Sequence, residues 1–487
     1  MSVDKEQDEE RHAQVAWPPV QHALDWNGPN DPANPRNFPL RSRVFSTFAV
    51  SFLAFVTTFA ASIYSPGSDE VTKEFNVSEE IAVLPLCLFN AGLAAGPLIG
   101  APISETAGRK VVFLTTPPLF ALFTLGAGFS QSPASLIVCR FFAGVFAAPA
   151  VSNASATITD YTAGRYRAIS MAFYYSIPTF GAMLGPLVGG FVAQGKGWRW
   201  TQWTIIFFII AFYIPTLFTK ETYKKAILQK RAKQLNIQGP PQVQRTLIQS
   251  IRYFATTLFL RPIHMLLTEP IVALVCLYIS FLFGINYTFV VASPWVYKHY
   301  YDFGPTGQSL SFLGLALGTA FAALPLITID QFLYQPRLKR FQTIASEDER
   351  FPPEHRLYPA LIASFLLPAF LFGFAWSAEA RLHWIVPIIF QFLTNLSSLL
   401  IYASGNLFMM DSYGPLYGAS AAGAAMLSRY ALSAVFPLFS LQMYRALGVG
   451  WATSLLAFCT LAMAPIPWLF WRCGERLRGR TKYETSG

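Results

Sequence analysis

Twelve apolar runs decide what this chain can fold into. They lie at roughly 44–65, 80–103, 111–130, 134–156, 168–193, 200–219, 269–293, 306–329, 357–376, 383–408, 417–442 and 448–471. Each is long enough to cross a bilayer's hydrocarbon core as one helix, which takes about 20 residues. The expected fold is an all-α polytopic membrane protein with twelve transmembrane helices. The gap at 220–268 is long and basic and splits the runs six and six, and 330–356 is the second long gap. The expected organisation is a polar tail (1–43), a six-helix bundle (44–219), a central loop (220–268), a second bundle (269–471) and a short tail (472–487). Only 13% of residues are charged, against about 25% in ordinary soluble domains. Such a chain cannot cover itself with charge, so lipid is its solvent.

The net charge of +10 sits mostly in the gaps between runs. That is a topology signal rather than a nucleic-acid footprint. With the first tail inside, the basic residues concentrate in the tails, the two long loops and the pairs Arg109/Lys110 and Arg165/Arg167. Among the gaps, only Lys73, Lys196, Arg199, Lys298, Arg381 and Arg445 fall on the other side. Both termini are therefore expected in the cytoplasm. Without an N-terminal signal peptide, the first run is expected to act as its own insertion signal. The five cysteines (Cys87, Cys139, Cys276, Cys459, Cys473) lie in or at the end of apolar runs, with no metal or disulfide spacing. Asn76-Val77-Ser78 is a glycosylation sequon in the first outside loop, whereas Asn153, Asn286 and Asn395 fall within helices and are expected to stay unmodified.

Between the second and third runs stands Gly96-Pro97-Leu98-Ile99-Gly100-Ala101-Pro102-Ile103-Ser104-Glu105-Thr106-Ala107-Gly108-Arg109-Lys110. This stretch resembles the loop between helices two and three of major facilitator superfamily transporters. Glu105 stands for the usual Asp, and Ala101-Pro102 departs from the usual Gly. The variant is similar to fungal twelve-helix drug:proton antiporters. The resemblance extends over residues 25–480 and implies two six-helix halves with a substrate site at the midplane between them. It also implies a conformational charge clamp of Glu105, Arg109 and Lys110 with Asp160. Plain juxtamembrane topology charges are the alternative. Asp330, ahead of Arg337, Lys339 and Arg340, is expected to repeat the pattern in the second half.

Gly181, Gly185, Pro186, Gly189 and Gly190 match the glycine-proline motif of antiporters in this superfamily. That favours export by exchange; generic close helix packing is the alternative. Gly197-Trp198-Arg199-Trp200 reads as an interfacial aromatic anchor. Arg140 and Arg429 lie within apolar runs, where a charge is a functional candidate by default. The family links an arginine at the Arg140 position to proton coupling, while snorkelling to the interface is the alternative. For Arg429, an ion pair or carbonyl cap competes with substrate contact. The first run carries no acid, which favours a neutral or anionic substrate over a polyamine. Candidate cavity residues are Asn90, Asn153, Tyr174, Tyr175, Asn286, Tyr287, Gln391 and Asn395, each also suited to a helix–helix hydrogen bond.

The expected function is proton-coupled export of a small organic molecule, a secondary metabolite, toxin or drug, from the plasma membrane. Its partners are the substrate, protons and lipid, and the chain is expected to act as a monomer without nucleic acid, cofactor or metal. An organic-acid or dicarboxylate exporter is the runner-up. A non-transporting sensor on the same fold is the alternative of another class. No Walker sequence is present, so ATP is not the expected power source. Neither a His-Glu-x-x-His nor a Gly-x-Ser-x-Gly arrangement occurs, so an enzyme is not expected.

Overall fold

The computed structural model describes residues 25–162, 165–237, 260–344 and 351–479, with the single positions 256, 481 and 483. Among these residues the secondary structure is helical, without strands. In lipid no water satisfies the backbone, so each crossing must bond internally. The crossings are α1 (Leu40–Ser62), α2 (Glu79–Ala107), α3 (Arg109–Gly128), α4 (Pro133–Tyr161), α5 (Arg165–Lys196), α6 (Arg199–Leu217), α7 (Pro270–Tyr301), α8 (Pro305–Ile344), α9 (Tyr358–Glu379) and α10 (Ile385–Gly414). The last apolar helical stretch, Tyr417–Arg478, holds 62 residues. At 1.5 Å per residue it would extend about 90 Å, three times a bilayer core. Gly448 breaks it with φ 74°, as Gly414 breaks the preceding junction with φ 60°. Only glycine adopts such angles without strain. The stretch is thus two crossings, α11 (417–447) and α12 (449–478). Glu379 Oε2 accepts from Gly450 N at 3.0 Å, an anion at the start of α12.

Glycines set how closely the crossings approach. A Cβ on Gly92 would strike Phe141 O, and one on Gly144 would strike Phe89 O, so α2 and α4 touch backbone to backbone. Gly314 and Gly318 do the same for α8 against Ile388 O and Phe392 O of α10. Lipid offers no hydrophobic drive for association, so such contact is the main attraction between helices.

With twelve crossings, the segment ahead of α1 and the end of α12 lie on one face. There the segment ahead of α1 is clasped to a helix after α6, Lys224–Leu235. Arg231 donates twice to the buried Asp31, each bond 2.8 Å, and Asn27 N and Ala33 N donate to the same carboxylate at 2.9 Å. Near the other end Arg478 pairs with Glu354. The halves meet at both faces. On the terminus-bearing face Arg167 of α5 reaches Asp411 of α10 at 3.4 Å. On the opposite face Arg445 of α11 pairs with Glu79 of α2 at 2.9 Å, Gln442 donates to Glu80 at 3.1 Å, and Thr306 of α8 bonds Gln194 of α5 at 2.9 Å.

Gly144→Val should lower the melting temperature of the purified protein by several degrees, because overpacking costs about 1–3 kcal/mol. Gly195→Ala, where a Cβ meets nothing within 4 Å, should leave it unchanged. The bond from Arg231 lowers the Asp31 pKa from 3.8 to about 2. A depressed acid stabilises the clasp fully above pH 3.8, and that contribution fades as pH falls towards 2. Hydrogen exchange at residues 25–38 should therefore rise in Asp31→Asn at neutral pH and in the unmodified chain only in acid.

Candidate functional site

A cavity of about 360 Å³ lies between the halves, walled by α1, α4 and α5 on one side and by α7, α10 and α11 on the other. Arg429 stands about 18 Å into α11, near the middle of the bilayer. It is 7% exposed. Its Nη1 donates to Tyr402 OH, and Nη2 donates to Tyr430 OH at 3.4 Å. Its guanidinium lies 5.1 Å from the Phe283 ring, 5.4 Å from Tyr402 and 4.7 Å from Tyr430. Nε has no hydrogen-bond partner among the described residues. Tyr174, Tyr175 and Tyr287 close the aromatic wall. A second cavity of about 420 Å³ shares Tyr175 and runs to Asp330, Tyr334, His355 and Arg356.

The structure brings part of the expected clamp together. Arg109 Nε lies 3.3 Å from Asp160 Oδ2, and Arg109 Nη1 donates to Ser104 Oγ at 2.7 Å. Asn153 belongs to this cluster, not to the cavity: its Nδ2 donates to Arg109 O at 2.9 Å and its Oδ1 accepts from Ser104 Oγ at 2.7 Å. Glu105 is half-buried near the end of α2. The organising acid is Glu221, which the sequence reading passed over as part of the central loop. Its carboxylate accepts from the backbone N of Arg109 (2.9 Å), Lys110 (3.0 Å), Thr222 (2.8 Å) and Tyr223 (2.8 Å). Gly108, at φ 105°, turns the chain so that these amides converge. Thr222 Oγ1 then donates to Asp160 Oδ2 at 3.1 Å.

The second-half pattern differs from expectation. Asp330 bonds not to Arg337, Lys339 or Arg340 but to Arg356 Nη1, at 3.2 Å. A π-helical turn at Asp330–Tyr334 carries the helix onward, so the downstream cations point elsewhere, Arg337 over the Tyr358 ring. Arg356 Nε also donates to Asp411 at 2.9 Å, which links Asp330, Arg356, Asp411 and Arg167 into one chain of charges. Neither Arg167 nor Arg356 stood out in sequence, because each read as a topology charge.

Arg140 is 0% exposed, so it does not snorkel. Its Nη2 donates to Ala60 O at 2.9 Å and its guanidinium covers the Phe89 ring at 4.4 Å. It caps carbonyls at the end of α1. Gly181 and Gly185 press on Phe55 and Ser62 of α1, Gly189 on Ile63 just after it, and Gly190 on Ser309 of α8. Pro186 lies within the same helix. Gln391 bonds Tyr297 and Ser293 of α7, and Asn395 bonds Leu315 O and Thr319 of α8. Asn90 donates to its own helix at Leu86 O, and Asn286 is buried beside the wall residue Tyr287. Asn76 is exposed, in a left-handed cap on the opposite face. Trp198 corrects the interfacial-anchor reading: it is 2% exposed, its N bonded to Glu70 and its Nε1 to Glu74 at 2.7 Å each. Trp200, 40% exposed, is the outward ring.

Residues 50–437 match the family model of the Major Facilitator Superfamily, and the chain belongs to that family. It is similar to the MFS-type transporter traF of Penicillium crustosum, 36% identical over 95% of this chain and 93% of that one. It is also similar to Polyamine transporter 4 of Saccharomyces cerevisiae (34%; 94% and 73%) and to the efflux pump radE of Floropilus chiversii (32%; 95% and 86%). The proton:xylose symporter XylE shares the fold, with a TM-score of 0.63 at 16% identity over 89% of this chain and 96% of that one. The protein is a membrane transporter of small molecules, not an enzyme.

Glu221→Ala should strand four amides, at about 1–3 kcal/mol for a buried unsatisfied group. Hydrogen exchange at residues 109–112 should quicken markedly, with little change at 270–300.

Proposed function

We propose that the chain exports a small organic molecule across the plasma membrane, in exchange for protons, with both termini in the cytoplasm. One observation carries the reading: a mid-membrane cavity lies between two halves that polar side chains bridge at both faces. Alternating access needs each bridge to be breakable in turn. On the terminus-bearing face, the Arg167–Asp411 pair holds α5 to α10. Neutralising Asp411 removes that attraction and lets this mouth open to the cytoplasm. On the other face, parting Arg445 from Glu79 frees α11 from α2. The Arg109–Asp160 pair with Ser104, Asn153 and Glu221 keeps the first half rigid at its cytoplasmic end during this rocking. Asp330 lines the cavity that reaches Tyr175, Asp411 pairs with Arg356 of the same wall, and these two acids are the proposed proton carriers. Export rather than uptake is supported by the antiporter-type glycine-proline run on α5 and by relatives named as efflux pumps.

The cargo is a secondary metabolite, toxin or drug. The polyamine named for the yeast relative is disfavoured here, because no Asp or Glu stands among the described residues lining the central cavity. The organic-acid reading gains from Arg429, which faces that cavity, and loses from Arg140, which is committed to α1 carbonyls.

Inside-out vesicles with an imposed pH gradient, offered a panel of neutral and monoanionic toxins and a set of dicarboxylates, test the proposal. Gradient-dependent accumulation of toxins, abolished by collapsing the gradient, is expected. Accumulation that ignores the gradient would remove proton coupling. Asp411→Asn should slow gradient-driven export severalfold while the protein still elutes as a single folded species.

A further inference from the structure

Arg429 is a buried cation whose neighbours supply no opposite charge. No salt bridge to it occurs among the described residues, and no carboxylate stands among those lining its cavity. Its compensation is weak: two tyrosine hydroxyls, three ring faces, and an Nε with no partner. An unpaired charge at this depth costs several kcal/mol unless something brings a counter-charge. Every other buried or half-buried arginine that meets a carboxylate here, such as Arg356 or Arg231, has that partner within 3.4 Å. Arg429 alone of the cavity wall is left waiting for one.

Resting on the export reading, we propose that the cargo is a flat aromatic monoanion, a carboxylate or phenolate, which itself supplies the missing charge to Arg429. The anionic group sits on the guanidinium fork in place of the Tyr402 and Tyr430 hydroxyls, and the ring lies among Tyr174, Tyr175, Phe283 and Tyr287. Charge-assisted bonds to an arginine are the strong kind, and stronger still where water is excluded. The walls add face and edge contacts that an aliphatic chain cannot match. A dicarboxylate fits poorly, because Arg140, the other buried arginine of the apolar runs, also has unpartnered nitrogens, Nε and Nη1, but does not line this cavity. An ammonium fits worse, since it would meet a cation with no anion between.

The test is calorimetric titration of the purified protein in lipid nanodiscs at neutral pH with 2-naphthoate, 2-naphthamide, 2-naphthylmethylamine and succinate. The naphthoate should bind about tenfold or more tightly than each of the others, a difference of at least ~1.4 kcal/mol. Arg429→Gln should erase its advantage over the amide. Arg429→Lys should keep part of it, and Tyr402→Phe should keep a measurable preference, so the comparison survives if the glutamine variant does not fold. Equal binding of naphthoate and amide by the unmodified protein overturns the proposal, as does tighter binding of the amine or of succinate. Proteoliposomes under a pH gradient separate this idea from export itself. Gradient-driven movement of neutral compounds, with no naphthoate binding, sinks the anion site and leaves export standing. Arg429-dependent naphthoate binding without gradient-driven movement keeps the site and sinks export.

Discussion

The architecture depends on helices that touch through their backbones. Lipid is as apolar as leucine, so nothing squeezes one crossing onto the next; close contact has to provide the attraction. Gly92 and Gly144 supply it between α2 and α4, Gly314 and Gly318 between α8 and α10, and Gly181 and Gly185 between α5 and α1. The first two sites occupy corresponding places in the two halves. The internal repeat, faint in the loop charges, is clearer in where carbonyl oxygens meet glycines. Because these crossings are tight, each half can move as a body, and the softer polar bridges between halves become the places where motion occurs.

The fold was almost wholly legible in the chain, because the length of an apolar run against the thickness of a bilayer is a strong rule. Only the last helical stretch needed the backbone angle at Gly448 to divide it into two crossings. The site was less legible, for a physical reason. A charge clamp is defined by which acid meets which base, and in a helical bundle those partners come from distant sequence. Glu221 lies more than a hundred residues from two of the amides it holds, those of Arg109 and Lys110, and Asp330 turns to Arg356 rather than to the cations that follow it. Asn153, Gln391 and Asn395 illustrate the converse. Polar residues in apolar runs are as readily spent on joining helices as on ligands, and only the neighbouring helix reveals which.

The two intramembrane arginines show how the same residue type can be used in opposite ways. Arg140 is enclosed, stacked on Phe89 and bonded to the end of α1, which makes it part of the first half's skeleton. Arg429 faces open space among tyrosines. Sequence placed both as candidates on equal terms. Burial and partners separate them, and with them the number of charges the cavity can meet.

The clasp between Asp31 and Arg231, together with Glu221 at the start of α3, binds the leading segment and the Lys224–Leu235 helix to the first bundle. What reads in sequence as a long slack connector between halves is, over its first third, freight carried by one of them. The number of residues left to join the halves is correspondingly smaller than the 220–268 spacing suggests, because the Lys224–Leu235 helix travels with the first bundle.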